Sequence, residues 1–113
     1  MNRSLHIRPP AVAGMFYPAD AAELAREIQS YLAAVPATQA PAPKGLIVPH
    51  AGYVYSGAVA ASAYALLSLA RKTIRRVVLL GPAHRVPVRG LALPVAEAFA
   101  TPLGGVRIDA EGA

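Results

Sequence analysis

The stretch Gly45 to His84, GLIVPHAGYVYSGAVAASAYALLSLARKTIRRVVLLGPAH, decides the fold class. It opens with the short apolar run Gly45-Leu46-Ile47-Val48, which stops at Pro49 and reads as a buried strand. After the loop from His50 to Tyr55, Ser56 is placed to cap a helix running to about Ala70. Val77-Val78-Leu79-Leu80 then reads as a second buried strand, ended by Gly81–Pro82. Strand, helix and strand in this order form a βαβ unit, and continuous apolar strands belong to a parallel sheet covered on both faces. The expected class is therefore α/β, a mostly parallel sheet flanked by helices.

Upstream, Asp20 and Glu23 have capping-box spacing, and Leu24, Ile28, Tyr31, Leu32 and Val35 recur at helical intervals until Pro36. The segment from Pro36 to Pro43 is a Pro/Ala-rich connector. Downstream, Leu91 to Leu93 and Val106 to Ile108 read as short strands, with a turn around Gly104–Gly105. The 113 residues are one domain's worth of chain. An α/β sheet begun this way normally needs further strands and helices, so the domain over 1–113 is expected to be incomplete.

Composition narrows the functional classes. The chain is 55% hydrophobic and 15% charged, which excludes an intrinsically disordered protein. Its net charge of +5 is scattered apart from Arg71, Lys72, Arg75 and Arg76. That group falls at a helix end, where cations complement the dipole, and no aromatic residues interleave with it. A nucleic-acid partner is not expected. With no cysteine there is no disulfide framework. The start, Met1 to Met15, has no continuous apolar block and does not read as a signal peptide. The apolar stretch from Ala58 to Ala70 is too short to span a bilayer. A soluble cytoplasmic protein without a membrane partner is the expectation.

Ligands of open α/β sheets bind beyond the carboxyl ends of the strands. His50 and His84 both lie at that edge in this reading, and parallel strands would deliver both imidazoles to the same side. Neutral imidazole is the commonest protein metal ligand, so a shared metal site is one reading; hydrogen-bonding loop histidines are the other. Tyr53 and Tyr55 are either phenol donors near that site or packing residues. Ser56 is either part of an anion-attracting helix start or only a cap. His6, in a polar amino terminus, reads as a bystander.

Four motifs, RPPAVAGMFYP (Arg8 to Pro18), PHAGYVYSG (Pro49 to Gly57), LGPAH (Leu80 to His84) and TPLG (Thr101 to Gly104), resemble the Memo family in order and spacing. That family includes the proteins called AmmeMemoRadiSam system protein B, and the resemblance covers the amino-terminal part of a typical member. It implies a fold similar to class III extradiol dioxygenases, non-haem iron enzymes in which two histidines and a carboxylate hold the metal and a catechol ring is opened by dioxygen. Carried over, His50 and His84 are the metal ligands for a divalent ion, iron first and copper as the alternative. The third ligand, often a cysteine in Memo proteins, has no counterpart here; Asp109 and Glu97 are the carboxylates of suitable type. Arg85 stands where relatives often carry a second histidine, and faces either an anionic substrate or solvent. The resemblance leaves two functions open: a metal-dependent oxygenase or redox protein, and a non-catalytic module that holds a peptide or protein, with a radical-SAM protein as one partner. Unpaired strand edges also lead to an expectation of self-association.

Overall fold

The computed structural model describes residues 4–113; the first three residues of the stretch judged not to be a signal peptide lie outside the described residues. The chain divides into two units, one made of residues 11–75 and the other of the residues up to Pro10 together with residues 76–113.

The first unit is helical. Helix α1 spans Ala21–Ala33 and begins as the sequence requires: the Asp20 carboxylate accepts the Glu23 amide at 2.8 Å, and the Asp20 carbonyl accepts the Leu24 amide at 2.9 Å. This satisfies amides that have no partner within the helix. Asp20→Ala is expected to cost about 1 kcal/mol of stability, read as a lowered midpoint in urea denaturation. Helix α2 spans Tyr53–Tyr64 and tightens into a 3-10 segment over Ala65–Ala70. It starts three residues earlier than the sequence suggests. Gly52 is its N-cap, and Ser56 sits inside the first turn.

The two helices pack through Tyr31, whose ring lies over Gly57. A β-carbon built on Gly57 would meet Tyr31 Cε2 at 2.6 Å and Cζ at 2.7 Å, so the approach requires glycine there. Leu24 and Ala61 are the buried apolar residues of this unit. On the other side of α2, Val54, Tyr55 and Val59 are exposed. The continuous helical stretch Tyr53–Ala70, 18 residues at a mean hydropathy of 1.3, is long and apolar enough to cross a membrane by length and composition. The expectation drawn from Ala58 to Ala70 alone missed this, because the helix begins at Tyr53. Helices apolar on several sides also occupy the interiors of layered soluble folds, and Tyr31 and Leu24 already cover part of this one.

The second unit carries a three-stranded sheet in the order β1-β2-β3, with β1 at Ile7–Arg8, β2 at Ala98–Thr101 and β3 at Gly104–Arg107. Strand β1 pairs with β2 in parallel and β2 pairs with β3 antiparallel, so the sheet is mixed rather than mostly parallel. The hairpin turns at Pro102–Leu103. There the Thr101 hydroxyl accepts the Leu103 amide at 3.1 Å and donates to the Gly104 carbonyl at 2.8 Å, while Gly104 takes φ +129°. Glu97 ties the sheet's beginning to its end. Its amide donates to the His6 carbonyl, its carboxylate accepts the His6 amide, and its carbonyl accepts the Ile108 amide. The backbone of His6 is thus part of the sheet's frame.

Two expected strands do not form. Gly45–Val48 and Val77–Leu80 belong to no ladder among the described residues, nor does Leu91–Leu93. Ile47 is fully exposed, and Val77 to Leu80 are 75% to 85% exposed. Their composition is that of strands, but a strand exists only when a neighbour takes up its amides and carbonyls. The α/β class stands; the βαβ unit does not.

Candidate functional site

The helical unit contains a shallow cleft lined by residues of two sequence motifs: Gly14, Met15, Phe16 and Tyr17 from one, and Gly52, Tyr53 and Tyr55 from the other. The first motif folds on itself before α1. The Met15 and Phe16 amides both donate to the Val12 carbonyl, and the Gly14 amide donates to the Tyr17 carbonyl at 2.7 Å. Gly14 sits at φ +80°, a conformation that favours glycine. The two motifs are joined by the Tyr53 amide, which donates to the Phe16 carbonyl at 2.8 Å. This bond meets one of the unpaired amides of α2's first turn.

Three phenol rings gather behind the cleft. Tyr17 and Tyr53 have ring centroids 5.6 Å apart, and Tyr31 meets Tyr53 edge-on at 6.4 Å. The Tyr31 hydroxyl lies 3.2 Å from both a Glu27 carboxylate oxygen and the Tyr53 carbonyl, and shares its one proton between them. Burial raises the Tyr31 phenol above its usual value, with the Glu27 carboxylate adding to the effect. Burial also raises Tyr53, helped by the neighbouring Tyr17 phenol and by Glu27. Both rings are therefore neutral donors near neutral pH rather than phenolates. The folded pKa values exceed the unfolded value of 10.0, so the native state holds these protons more tightly. Their contribution to stability is complete below pH 10.0 and falls as pH rises through the folded values. Urea midpoints are expected to drop above about pH 10, and the drop is expected to shrink in a Tyr31→Phe variant.

His50 is exposed at the lip of this region, one residue before the cleft-lining Ala51. Ser56 is only 5% exposed, and its hydroxyl accepts the Ala51 amide at 3.0 Å. The serine thus fastens the backbone beside His50 to the first turn of α2. Of the residues expected near the site, His50, Tyr53, Tyr55 and Ser56 share this unit, with Tyr55 exposed on the cleft wall. His84 and Arg85 belong to the sheet-bearing unit, both exposed in a bend after the extended Val77–Leu80 segment. Delivery of the two imidazoles by strand ends has no ladder behind it, because neither strand forms.

Among the described residues, no three His, Cys, Asp or Glu side chains gather into a group suited to a metal ion. The carboxylates of suitable type serve their own unit. Glu97 holds the His6 amide, and Asp109 pairs with Arg76 at 3.1 Å and accepts the Glu111 and Gly112 amides. The cleft's first wall was legible only as a motif. Met15, Phe16 and Tyr17 stand in the quoted RPPAVAGMFYP stretch, but nothing local in the sequence tells that Phe16 meets Tyr53.

A family model described as Memo-like protein matches residues 8–113, from the first motif through the hairpin. The chain belongs to the Memo family. It is 39% identical over 107 residues to the MEMO1 family protein of Aquifex aeolicus, covering 95% of this chain and 38% of that one. To the MEMO1 family protein of Ignicoccus hospitalis it is 41% identical over 114 residues, covering 93% of this chain and 40% of the relative. Protein MEMO1 of Homo sapiens is 37% identical over 109 residues, covering 96% and 36%. This Memo chain therefore spans about two fifths of the length of the curated relatives it matches.

Proposed function

We propose that this Memo chain carries part of a divalent-metal site, with His50 and His84 as imidazole ligands, and that the aromatic cleft at the start of α2 receives the substrate. The observation that carries this reading is the Ser56–Ala51 bond, which holds the backbone next to His50 against a cleft lined by neutral phenol-bearing side chains. A complete three-ligand centre does not fit the described residues, since Glu97 and Asp109 are engaged elsewhere and no triad gathers. The remaining donor comes from polypeptide outside this stretch. Iron is the first candidate and copper the alternative, on the resemblance to extradiol dioxygenases, whose metal supplies activation of dioxygen and a catechol. Arg85, next to His84, is the cation for an anionic substrate group in this reading.

The chain's own contribution is positional. Ser56 anchors the His50 loop, and Tyr53 holds the Phe16 segment through its amide. Metal analysis after purification in iron- or copper-supplemented medium tests the proposal. A His50→Ala, His84→Ala double variant is expected to lose at least about tenfold in metal affinity relative to the parent chain, and equal metal content in both proteins rejects the reading.

The exposure of Met15, Phe16 and Tyr55 around the cleft favours a second reading, a module that binds a peptide or protein, a radical-SAM protein being one candidate partner. It predicts peptide binding that survives the double histidine substitution and is lost on Tyr55→Asp. Catechol-dependent oxygen uptake by the chain, without any such binding, rejects it.

A further inference from the structure

The accessible surface of the chain is 9760 Å², large for a mass of 11.7 kDa. A compact protein of that mass exposes about 5,900 Å², and two separately compact bodies sharing the mass expose about 7,100 Å². The excess over the second figure, about 2,700 Å², does not depend on how the two units are arranged. It exceeds by a wide margin the ~800 Å² that one partner contributes to an interface of ordinary size.

Much of the exposed apolar surface lies in one segment. Val77, Val78, Leu79 and Leu80 are all at least 75% exposed, and successive residues of an extended chain point to opposite faces. The run is therefore apolar on both faces as well as lacking ladder partners on its edges. A single strand added at one edge would leave both faces wet. Such a run needs neighbours in the sheet and a layer above and below it, which is the environment of an interior strand in an α/β fold. The helical unit shows the same deficit, with α2 covered by α1 on one side and exposing Val54 and Val59 on another. A second copy of this chain is the weaker occupant. Each copy brings a net charge of +5, with Arg75 and Arg76 directly before the run and Arg85 shortly after it.

We propose that Val77–Leu80 is an interior strand of the Memo sheet, and that this chain binds, through it, the part of a Memo polypeptide that it does not match. The relatives carry three fifths or more of their length beyond the matched stretch, enough to supply flanking strands and both covering layers. This proposal rests on family membership and the exposed surface, and is independent of the metal reading.

The test adds the unmatched part of the Aquifex aeolicus relative to the 113-residue chain, by co-expression and, separately, as a fusion through a flexible linker. Light scattering after size exclusion and amide hydrogen exchange are the readouts. The expected result is a one-to-one complex in which the Val78, Leu79 and Leu80 amides exchange at least about 100-fold more slowly than in the chain alone. Leu79→Asp is expected to abolish both the complex and the protection. Slow exchange in the chain alone, accompanied by dimer mass, overturns the proposal in favour of a second copy. Fast exchange at these amides in both the co-expressed and the fused protein overturns it altogether.

Discussion

Leu24→Ala is expected to remove about 3 kcal/mol, within a range of roughly 2–5 kcal/mol for leucine truncation in a core, from the helical unit. Leu24 is 3% exposed, and the other buried apolar residues, Ala61, Ala96 and Ala98, are all alanines. Only Ala61 shares its unit. A small unit with so little buried side chain has a total stability on the order of 3–5 kcal/mol. The substitution therefore consumes most of it. The expected observation is loss of the cooperative urea transition in far-ultraviolet circular dichroism, rather than a small shift of its midpoint. A transition of unchanged midpoint and slope in the variant would show that the leucine is not central to this core.

Gly57→Ala is the second large effect, and its sign is the informative part. In an exposed helix the change gains about 1 kcal/mol through helix propensity. Here the new β-carbon would arrive 2.6 Å from Tyr31 Cε2. The Tyr31 ring has little freedom to retreat, because its hydroxyl reaches Glu27 and the Tyr53 carbonyl and its edge meets the Tyr53 ring. Overpacking of this kind costs about 1–3 kcal/mol, so the net loss is about 1 kcal/mol or somewhat more. In a Tyr31→Leu background the clash disappears, and the same substitution is expected to be neutral or to stabilise by up to about 1 kcal/mol. Comparing the four proteins by urea denaturation isolates the contact. Equal effects of Gly57→Ala in both backgrounds would mean that ring and glycine do not touch.

Local signals were legible wherever the physics is local. The Asp20 cap and the spacing of Leu24, Ile28 and Tyr31 placed α1 correctly, because cap and helix face are set by residues a few positions apart. The hairpin near TPLG was found, but its turn is Pro102–Leu103, with Gly104 already opening β3. The start of α2 was misread for an instructive reason. Ser56 is the kind of residue that caps helices, but its hydroxyl turns back to Ala51, and side-chain-free Gly52 holds the cap position. The runs at Gly45–Val48 and Val77–Leu80 were read as strands from composition, whereas strand formation depends on a distant partner that four residues cannot announce. The candidate site divides in the same way. His50, Tyr53 and Ser56 stand near one another in the sequence and in the fold, while the Phe16 wall of the cleft required a long-range hydrogen bond to become visible.

The pairing of His6 with Glu97 joins residues 91 positions apart, and the whole helical unit lies between them in the chain. During synthesis, Ile7 and Arg8 leave the ribosome long before the strand that will receive them exists. Bringing ends that far apart together costs about 4 kcal/mol in a flexible chain. The helical unit, complete by Arg75, has had time to form before Ala98 emerges, and a folded insert shortens the loop to be closed. The order of translation thus favours helices first and sheet last, and a lesion that delays the helices is expected to delay the sheet with them.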